Sequence, residues 1–412
     1  MTRCINIDWL EVYGHEVQDG QTRDADFYRG QGLEVLARDY GTRQYEQMFT
    51  IMDECGEKWI EVRRKPKGLQ SVTGFSVLDE GSCHIRLCNR TCYATNAANI
   101  MQQFCDKYGI IISRISRIDI CLDFERFDSG DDPQKFINRY LKGIYSKINQ
   151  SNVRANGKDL WDGRFWNSLS WGAEKSQITT KIYNKTLEIS ERRDKPYIRQ
   201  AWASCGLVDD FIELTKRNKE GEIYHPQIWR LEFSIKSSVK KWYIIEDVHT
   251  SKKKIRSIHH ELEQYNDREK LIQHFAGLVH HYFHFKKFIR DQRKDRCPDK
   301  VLFDFSQINT FYEVQHIATA NTNSRTIETL KHRLCAYKLK HPHGEEAKAI
   351  DAVLEIIQSD LLKESASSAQ CRNELLALQR LITRRLTGNF QTTLNDELNI
   401  IEALTNLDTI LF

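Results

Sequence analysis

The stretch SRIDICLDFERFD, residues 116–128, is the most informative segment of the chain. Apolar and polar residues alternate along it, the apolar set being Ile118, Ile120, Leu122 and Phe124 and the polar set Arg117, Asp119, Cys121 and Asp123. A period of two predicts a β-strand with one face in a core. The other face carries two carboxylates one repeat apart, which repel each other unless a positive group lies between them.

Two later segments show the same alternation. TTKIYNK (179–185) places Lys181, Tyr183 and Lys185 on one face, and WRLEFSIK (229–236) does the same with Arg230 and Glu232. We expect the three strands to bring these faces together on one sheet. The resulting cluster would contain Arg117, Asp119, Asp123, Lys181, Tyr183, Lys185, Arg230 and Glu232.

The overall charge of the chain neither indicates nor excludes a nucleic-acid-binding protein. Among 412 residues, 61 Lys and Arg stand against 57 Asp and Glu, so the formal net charge is only +4. Basic residues concentrate in SKKKIR (251–256) and in KKFIRDQRKDR (286–296). Such runs are either solvated surfaces or phosphate-binding surfaces, and composition does not separate the two.

The location of the protein is inferred from features that the chain lacks. The first residues, MTRCINIDWLEVYG, pass directly into a strand pattern without the marks of a signal peptide. No apolar run approaches the roughly 20 residues that cross a bilayer. Eleven cysteines with scattered spacing fit a reducing compartment. We therefore expect a cytoplasmic protein without membrane insertion.

The domain organisation follows from a change of period along the chain. Residues 1–245 alternate strand patterns with helical segments, which predicts an α+β domain whose largely antiparallel sheet carries packed helices. Residues 246–412 contain little glycine and show helical spacing. This second part is predicted to be an all-α C-terminal domain, and its role is open.

The carboxylates and the tyrosine allow two interpretations. One is a solvated sheet face joined by cross-strand ion pairs, each contributing up to about 1 kcal/mol. The other is a site for Mg²⁺ or Mn²⁺, which prefer oxygen ligands. Tyr183 lies between two lysines, and nearby cations favour the ionised phenol. Such a phenol could act as a nucleophile toward a phosphodiester.

The three strands, taken in order, resemble motifs of the Rep_trans family of replication initiation proteins. That family includes rolling-circle initiators of plasmids and relaxases of integrative conjugative elements. RIDICLDF (117–124) is similar to its R-x-D-x-x-x-D strand, WGAEKSQITTKIYNKTLE (171–188) to its G-S-x-x-S and Y-[ND]-K-x-x-E motifs, and WRLEFSIK (229–236) to its R-x-E strand. The resemblance covers about residues 1–245 and implies a fold distantly similar to that of HUH endonucleases.

The resemblance implies a role for each matching residue. Tyr183 matches the nicking tyrosine, and Lys185 and Arg230 match further positions expected to be catalytic. Lys181, which shares the strand face of Tyr183, is expected to join them. Asp119, Asp123 and Glu232 match the acidic positions that hold Mg²⁺ or Mn²⁺.

Other matching residues are expected to contact DNA. Arg117 matches a basic position and Glu188 the end of the tyrosine motif. The first serine of G-S-x-x-S is replaced by Ala173, which leaves Ser176 as the hydroxyl available to substrate.

The activity implied is strand-specific DNA nicking and joining at an origin through a 5′-phosphotyrosine. It would start rolling-circle replication or conjugative transfer. The implied partners are origin DNA, a helicase or transfer machinery, and a second copy of the chain in a homodimer.

An aromatic segment, LWDGRFWNSLSWG (160–172), precedes the tyrosine strand. Arg164, Trp166 and Trp171 pair a cation with flat rings, as single-stranded DNA sites do, where each stacked base contributes about 1–3 kcal/mol. The same rings could instead pack in the core. Two alternatives to the nicking enzyme also stay open: a DNA-binding regulator without catalysis, and a nuclease that uses metal-activated water.

Overall fold

The computed structural model describes residues 3–67, 81–150, 152–160, 163–173, 176–191, 195–208, 227–250, 252–289, 292–293 and 296–314. In chain order the elements are β1 (Cys4–Glu16), α1 (Ala25–Gly30), β2 (Val35–Ala37), β3 (Tyr45–Met52), β4 (Lys58–Pro66), β5 (Ser82–Leu87), α2 (Asn89–Cys92), α3 (Ala97–Lys107), β6 (Ile110–Phe124), α4 (Pro133–Leu141), β7 (Tyr145–Lys147), β8 (Val153–Leu160), β9 (Gly163–Trp171), β10 (Ile178–Asn184), α5 (Lys185–Glu191), α6 (Pro196–Ser204), β11 (Trp229–Lys236), β12 (Lys241–Glu246), β13 (Lys254–His259), α7 (Arg268–Tyr282), β14 (Phe285–Lys287), β15 (Asp299–Lys300) and β16 (Phe311–Val314). A 3₁₀ helix, Leu262–Tyr265, precedes α7.

A sheet of ten strands organises these elements, in the order β2-β3-β4-β5-β1-β6-β11-β10-β9-β8. Every neighbouring pair in it is antiparallel. The predicted α+β class with a largely antiparallel sheet is therefore confirmed for the described residues. The predicted strands at residues 117–124, 179–185 and 229–236 correspond to β6, β10 and β11 of this sheet. The second one ends one residue early, because Lys185 begins α5.

The apolar face of the central strands forms the core. Ile118, Ile120 and Leu122 of β6 are fully buried. They share one cluster with residues of α3, α4 and α7, including Phe104, Phe136 and Phe275. At about 25 cal/mol per Å² of apolar area removed from water, this shared burial is the main stabilisation of the layers.

Local signals define the helix ends near the central strand. Pro133 occupies the first turn of α4, and the Asp132 side chain accepts a hydrogen bond from the Lys135 backbone N–H. After α3, Gly109 adopts a φ of 64°, a conformation that favours glycine. This glycine lets the chain turn directly into β6.

The region after residue 245 departs from the predicted all-α domain. Its described residues contain the strands β13 to β16 as well as α7. Strands β13, β12 and β16 form a second sheet of three strands. Phe275 of α7 packs edge-on against Phe233 of β11, at 5.3 Å between ring centroids. The all-α prediction is thus not confirmed for residues 246–314, and residues 315–412 lie outside the described residues.

None of the helices in the described ranges has the length and apolar character needed to cross a membrane.

Candidate active site

The strand register brings the three polar faces together as expected. β11 lies between β6 and β10, so Arg230 is opposite Asp123 on one side and Tyr183 on the other. Glu232 is opposite Lys181 in the same way. Directly opposed residues of antiparallel strands point to the same face. The predicted cluster therefore exists, and it lies on the face opposite the main apolar core.

Tyr183 is buried among charged groups. Its hydroxyl donates a hydrogen bond of 2.9 Å to Glu232 Oε2 and accepts one of 3.4 Å from Lys185 Nζ. Lys181 Nζ lies 4.2 Å from the centroid of the ring. Burial, reinforced by the charge of Glu232, raises the pKa of Tyr183 well above its ordinary value. The phenol is therefore protonated at rest and already has an acceptor for its proton.

Glu232 is poised to change protonation near neutral pH. Burial raises the pKa of its carboxyl to about 7, and the charges of Asp119 and Asp8 act in the same direction. A base whose pKa lies close to the working pH is well matched to proton transfer. The position of Glu232 beside the tyrosine hydroxyl therefore suits a general base.

Arg230 and Asp123 form a fully buried ion pair. Arg230 Nε and Nη2 donate to the two carboxylate oxygens of Asp123, at 2.6 Å each. Trp202 Nε1 of α6 adds a third hydrogen bond, 2.7 Å long, to Asp123 Oδ2. These three donors give Asp123 a positioning role in the ion pair, and its predicted role as a metal ligand stays a prediction.

Asp8 joins the cluster through an irregularity of β1. The register of β1 against β6 shifts between Ile7 and Trp9, which makes Asp8 the extra residue of a bulge. Asp8 Oδ1 accepts hydrogen bonds of 2.7 Å from both Arg230 Nη1 and Tyr93 Oη. Burial raises the pKa of Asp8, but Arg230 and Lys185 outweigh it and hold the pKa well below its usual range.

Three residues of this network are absent from the set that the sequence predicted. Asp8 could have been found, because it follows Asn6 by two positions in the alternation of β1. Tyr93 and Trp202 left no such signal: they lie outside the strands and reach the site only through the tertiary fold.

Asp119 is buried at the opposite end of the polar face. Arg117 Nε and Nη2 donate to its two oxygens at 2.9 and 2.5 Å. Burial nevertheless raises the pKa of Asp119, with the nearby charge of Asp8 adding to the effect. The guanidinium of Arg117 also lies 4.6 Å from the ring centroid of Trp9. Arg117 therefore extends the cluster toward the part of the face formed by β1.

The acidic side chains of the site have the oxygen ligands that a divalent metal prefers, but they are not arranged as a metal site. Asp8 raises the pKa of Asp119, and both residues raise the pKa of Glu232, so the site concentrates negative charge that a cation would offset. Their oxygens are the ligands that Mg²⁺ and Mn²⁺ prefer. Within the described residues, however, no three His, Cys, Asp or Glu side chains are grouped so as to hold an ion.

Glu188 pairs with two lysines beside the site, and its predicted contact with DNA stays a prediction. It forms an ion pair with Lys185 and another, 3.0 Å long, with Lys195. Through these contacts Glu188 holds the ammonium group of Lys185 in place. Burial lowers the pKa of Lys185, and Arg230 lowers it further.

The aromatic segment before β10 belongs mainly to the core. Trp171 is 1% exposed, and its Nε1 donates a 3.0 Å hydrogen bond to Tyr140 Oη. A buried ring has no face on which a base can stack, so this packing opposes the DNA contact of Trp171, which stays a prediction. Trp166 is partly buried and packs against the same core. The side chain of Arg164 lies outside the described residues, as do those of residues 158–165 in general.

Ser176 lies in the turn before β10. Its hydroxyl accepts a 2.9 Å hydrogen bond from the backbone N–H of Ala173. Ser176 thus supports the turn that leads into the tyrosine strand, and its contact with DNA stays a prediction.

Comparison with solved structures finds a distant structural neighbour. No family model matches the chain, and no curated protein matches it. The fold is similar to a solved structure of the rolling circle replication initiator protein from Geobacillus stearothermophilus, with a TM-score of 0.41 and 13% identity. The alignment covers 72% of this chain and 92% of the other. A likeness of this degree leaves the function to be argued from the site itself.

Proposed function

We propose that this protein nicks and rejoins one DNA strand at an origin of a mobile element, and thereby starts rolling-circle replication or conjugative transfer. The observation that carries the proposal is the hydrogen bond from Tyr183 to Glu232, a nucleophile beside a base whose pKa is about 7. The ordered motifs of β6, β10 and β11 support the same function through their resemblance to Rep_trans proteins.

The cations of the polar face would bind the substrate. Lys181 is exposed beside the tyrosine ring, and the side chain of Arg117 is 41% exposed at the other end of the cluster. Both can reach phosphate oxygens. Arg230, in contrast, is fully buried and already forms ion pairs with Asp123 and Asp8. Arg230 therefore acts as a positioning residue.

The chemical step is a transesterification. The hydroxyl of Tyr183 passes its proton to Glu232 as its oxygen forms a bond to phosphorus, and the bond from phosphorus to the 3′ oxygen breaks. The products are a 5′-phosphotyrosine and a 3′ hydroxyl, whose proton comes from solvent. Lys181 and Lys185 stabilise the negative charge that develops on the phenol oxygen. Attack by a 3′ hydroxyl on the phosphotyrosine reverses every bond change and rejoins the strand.

A bound Mg²⁺ or Mn²⁺ would offset charge on the scissile phosphate. Asp119 and Asp8 would supply oxygen ligands to it, which leaves Glu232 to accept the proton of Tyr183. This assignment rests on the oxygen chemistry of the two side chains and on the negative charge of the site.

The test uses supercoiled DNA that carries the gene and its flanking sequence, incubated with the full-length protein and Mn²⁺, Mg²⁺ or EDTA. A denaturing gel should show a protein–DNA adduct that requires the metal. Tyr183→Phe should lose the adduct and retain DNA binding, because the ring and its packing are unchanged. Full nicking by Tyr183→Phe would overturn the proposal.

The same gel separates the two alternatives. Nicked DNA with free ends and no adduct would indicate a nuclease that uses water. Tight binding without cleavage under any condition would indicate a regulator.

A further inference from the structure

Two cysteines far apart in sequence meet beside the buried ion pair. The sulfurs of Cys4 in β1 and Cys205 at the end of α6 are 3.2 Å apart, and 201 residues separate them in the chain. Both are free thiols. Cys4 is the strand neighbour of Asp123, and α6 supplies the indole that donates to that carboxylate. The thiol pair therefore joins the two elements that hold Asp123 in place.

The two sulfurs differ in access. Cys4 is 1% exposed, and Asn6 Nδ2 donates a 3.0 Å hydrogen bond to its sulfur. Cys205 is only half-buried, and Arg268 Nη2 approaches its sulfur at 3.8 Å. Burial raises the pKa of Cys4. An oxidant from solvent thus reaches the sulfur of Cys205 first, and the buried sulfur of Cys4 is placed to react with the oxidised Cys205.

We propose that Cys4 and Cys205 are a redox modification site that closes to a disulfide when the protein meets a hydroperoxide. In the first step the sulfur of Cys205 attacks the O–O bond of hydrogen peroxide, which breaks and leaves Cys205 as a sulfenic acid and one water. In the second step the sulfur of Cys4 attacks that of Cys205. The S–S bond forms, the S–O bond breaks, and the hydroxyl leaves with the proton of Cys4 as a second water.

The electrons balance in this sequence. The two thiols lose two electrons and two protons, and the peroxide takes up both and is reduced to two molecules of water. A dithiol reductant reverses the step by thiol–disulfide exchange. Closing the bond requires the sulfurs to move from contact to about 2.05 Å. That is a small shift for two side chains already in contact.

The disulfide would link β1 covalently to α6. Both elements belong to a small apolar cluster with Ile189, Ile198 and Trp202. The link therefore fixes the helix that supplies the Trp202 indole, without touching Tyr183 or Glu232. The inference does not rest on the proposed nicking activity, because its primary readout is a chemical bond.

The test treats the full-length, reduced protein with increasing hydrogen peroxide and then blocks the remaining thiols with an alkylating reagent. The expected result is an intact mass with two fewer alkyl groups, no change in oligomeric state, and a cross-linked pair of peptides that contains Cys4 and Cys205. Dithiothreitol should restore both alkylation sites.

Matched variants make the result specific. Cys205→Ser should abolish the cross-link while Cys55→Ser, at an exposed cysteine, should leave it unchanged. Cys4→Ser should leave Cys205 to accumulate as sulfenic or sulfinic acid. If Cys205→Ser fails to fold, quantitative alkylation of the wild-type thiols after peroxide decides the matter. A cross-link between other cysteines, or alkylation of both Cys4 and Cys205 after peroxide, would refute the proposal.

Discussion

Tyr183 and Glu232 lie diagonally across β10 and β11 and share a hydrogen bond of 2.9 Å. The acceptor carboxyl has a pKa of about 7, raised chiefly by its burial. The phenol is thus paired with a group that holds its own proton below neutral pH and can take one above it. This pairing gives the candidate site a defined dependence on pH.

We expect the single-turnover nicking rate to rise as pH increases through about 7, because only the ionised carboxylate can accept the proton of Tyr183. Glu232→Gln should lower the rate by about 10²–10⁴-fold, the usual contribution of a general base. It should also remove the rise near pH 7. Rapid-quench measurements over a pH series check this, and a Glu232→Gln enzyme that keeps the wild-type profile would contradict the assignment.

The same carboxyl should make folding stability depend on pH. Its folded pKa of about 7 lies above its ordinary value of 4.5, so the folded state resists ionisation. The stability it contributes is complete below pH 4.5 and is lost as pH rises to about 7. Glu232→Gln should therefore match the wild type at low pH and be more stable above neutrality, by up to about 3 kcal/mol. Urea unfolding at both pH values tests this, with the exposed Glu57→Gln as a control.

Asp8 and Asp123 should respond differently to substitution if Asp8 is the metal ligand. Asp123→Asn removes the charge that balances Arg230 and should cost about 1–3 kcal/mol or more of stability. The concentration of Mn²⁺ that gives half-maximal nicking should stay unchanged in this variant. Asp8→Asn should instead raise that concentration. A titration of nicking with Mn²⁺, done below the unfolding temperature of each variant, distinguishes the two residues. A higher half-maximal concentration in Asp123→Asn alone would indicate that Asp123 is the ligand.

Substitutions at Trp171 and Lys181 should distinguish a residue that stabilises the fold from one that binds DNA. Trp171→Ala removes a fully buried ring and should cost about 3–5 kcal/mol of stability. Lys181→Ala removes an exposed charge, so it should weaken DNA binding with little effect on stability. The slope of log affinity against log salt should fall by about 1. Fluorescence anisotropy at several salt concentrations and thermal unfolding check both predictions. An equal loss of DNA affinity in a folded Trp171→Ala protein would indicate that this ring contacts DNA.

Alternation predicted the central strands and most of the cluster because polarity with a period of two is a local property. Asp119, Tyr183 and Glu232 could be placed on one face from their own segments, and strand pairing then brought the faces together. The contacts of Asp123 could not be predicted in this way, because Trp202, which donates to it, lies in a helix that no sequence pattern connects to the strand. A carboxylate that holds an arginine and one that holds a metal look the same in a one-dimensional pattern.

The burial of Trp171 could not be predicted from the sequence, for a related physical reason. A tryptophan beside basic residues suits both a stacking surface and a core, and only the tertiary packing decides between them. Tyr140 and Phe285 cover its ring, and neither is close to it in sequence. The region after residue 245 shows the same limit, because its short strands β13 to β16 pair with segments that local periodicity does not identify.

The buried guanidinium of Arg230 also constrains how the molecule can be made. It binds Asp8 across 222 residues and Asp123 across 107 residues of chain. During synthesis, both acidic side chains leave the ribosome long before their counter-ion is translated. A nascent chain that ends before β11 therefore cannot bury them without a large electrostatic penalty. The polar face can close only after β11 has been synthesised, so products that end before this strand should be degraded by proteases rather than accumulate as folded fragments.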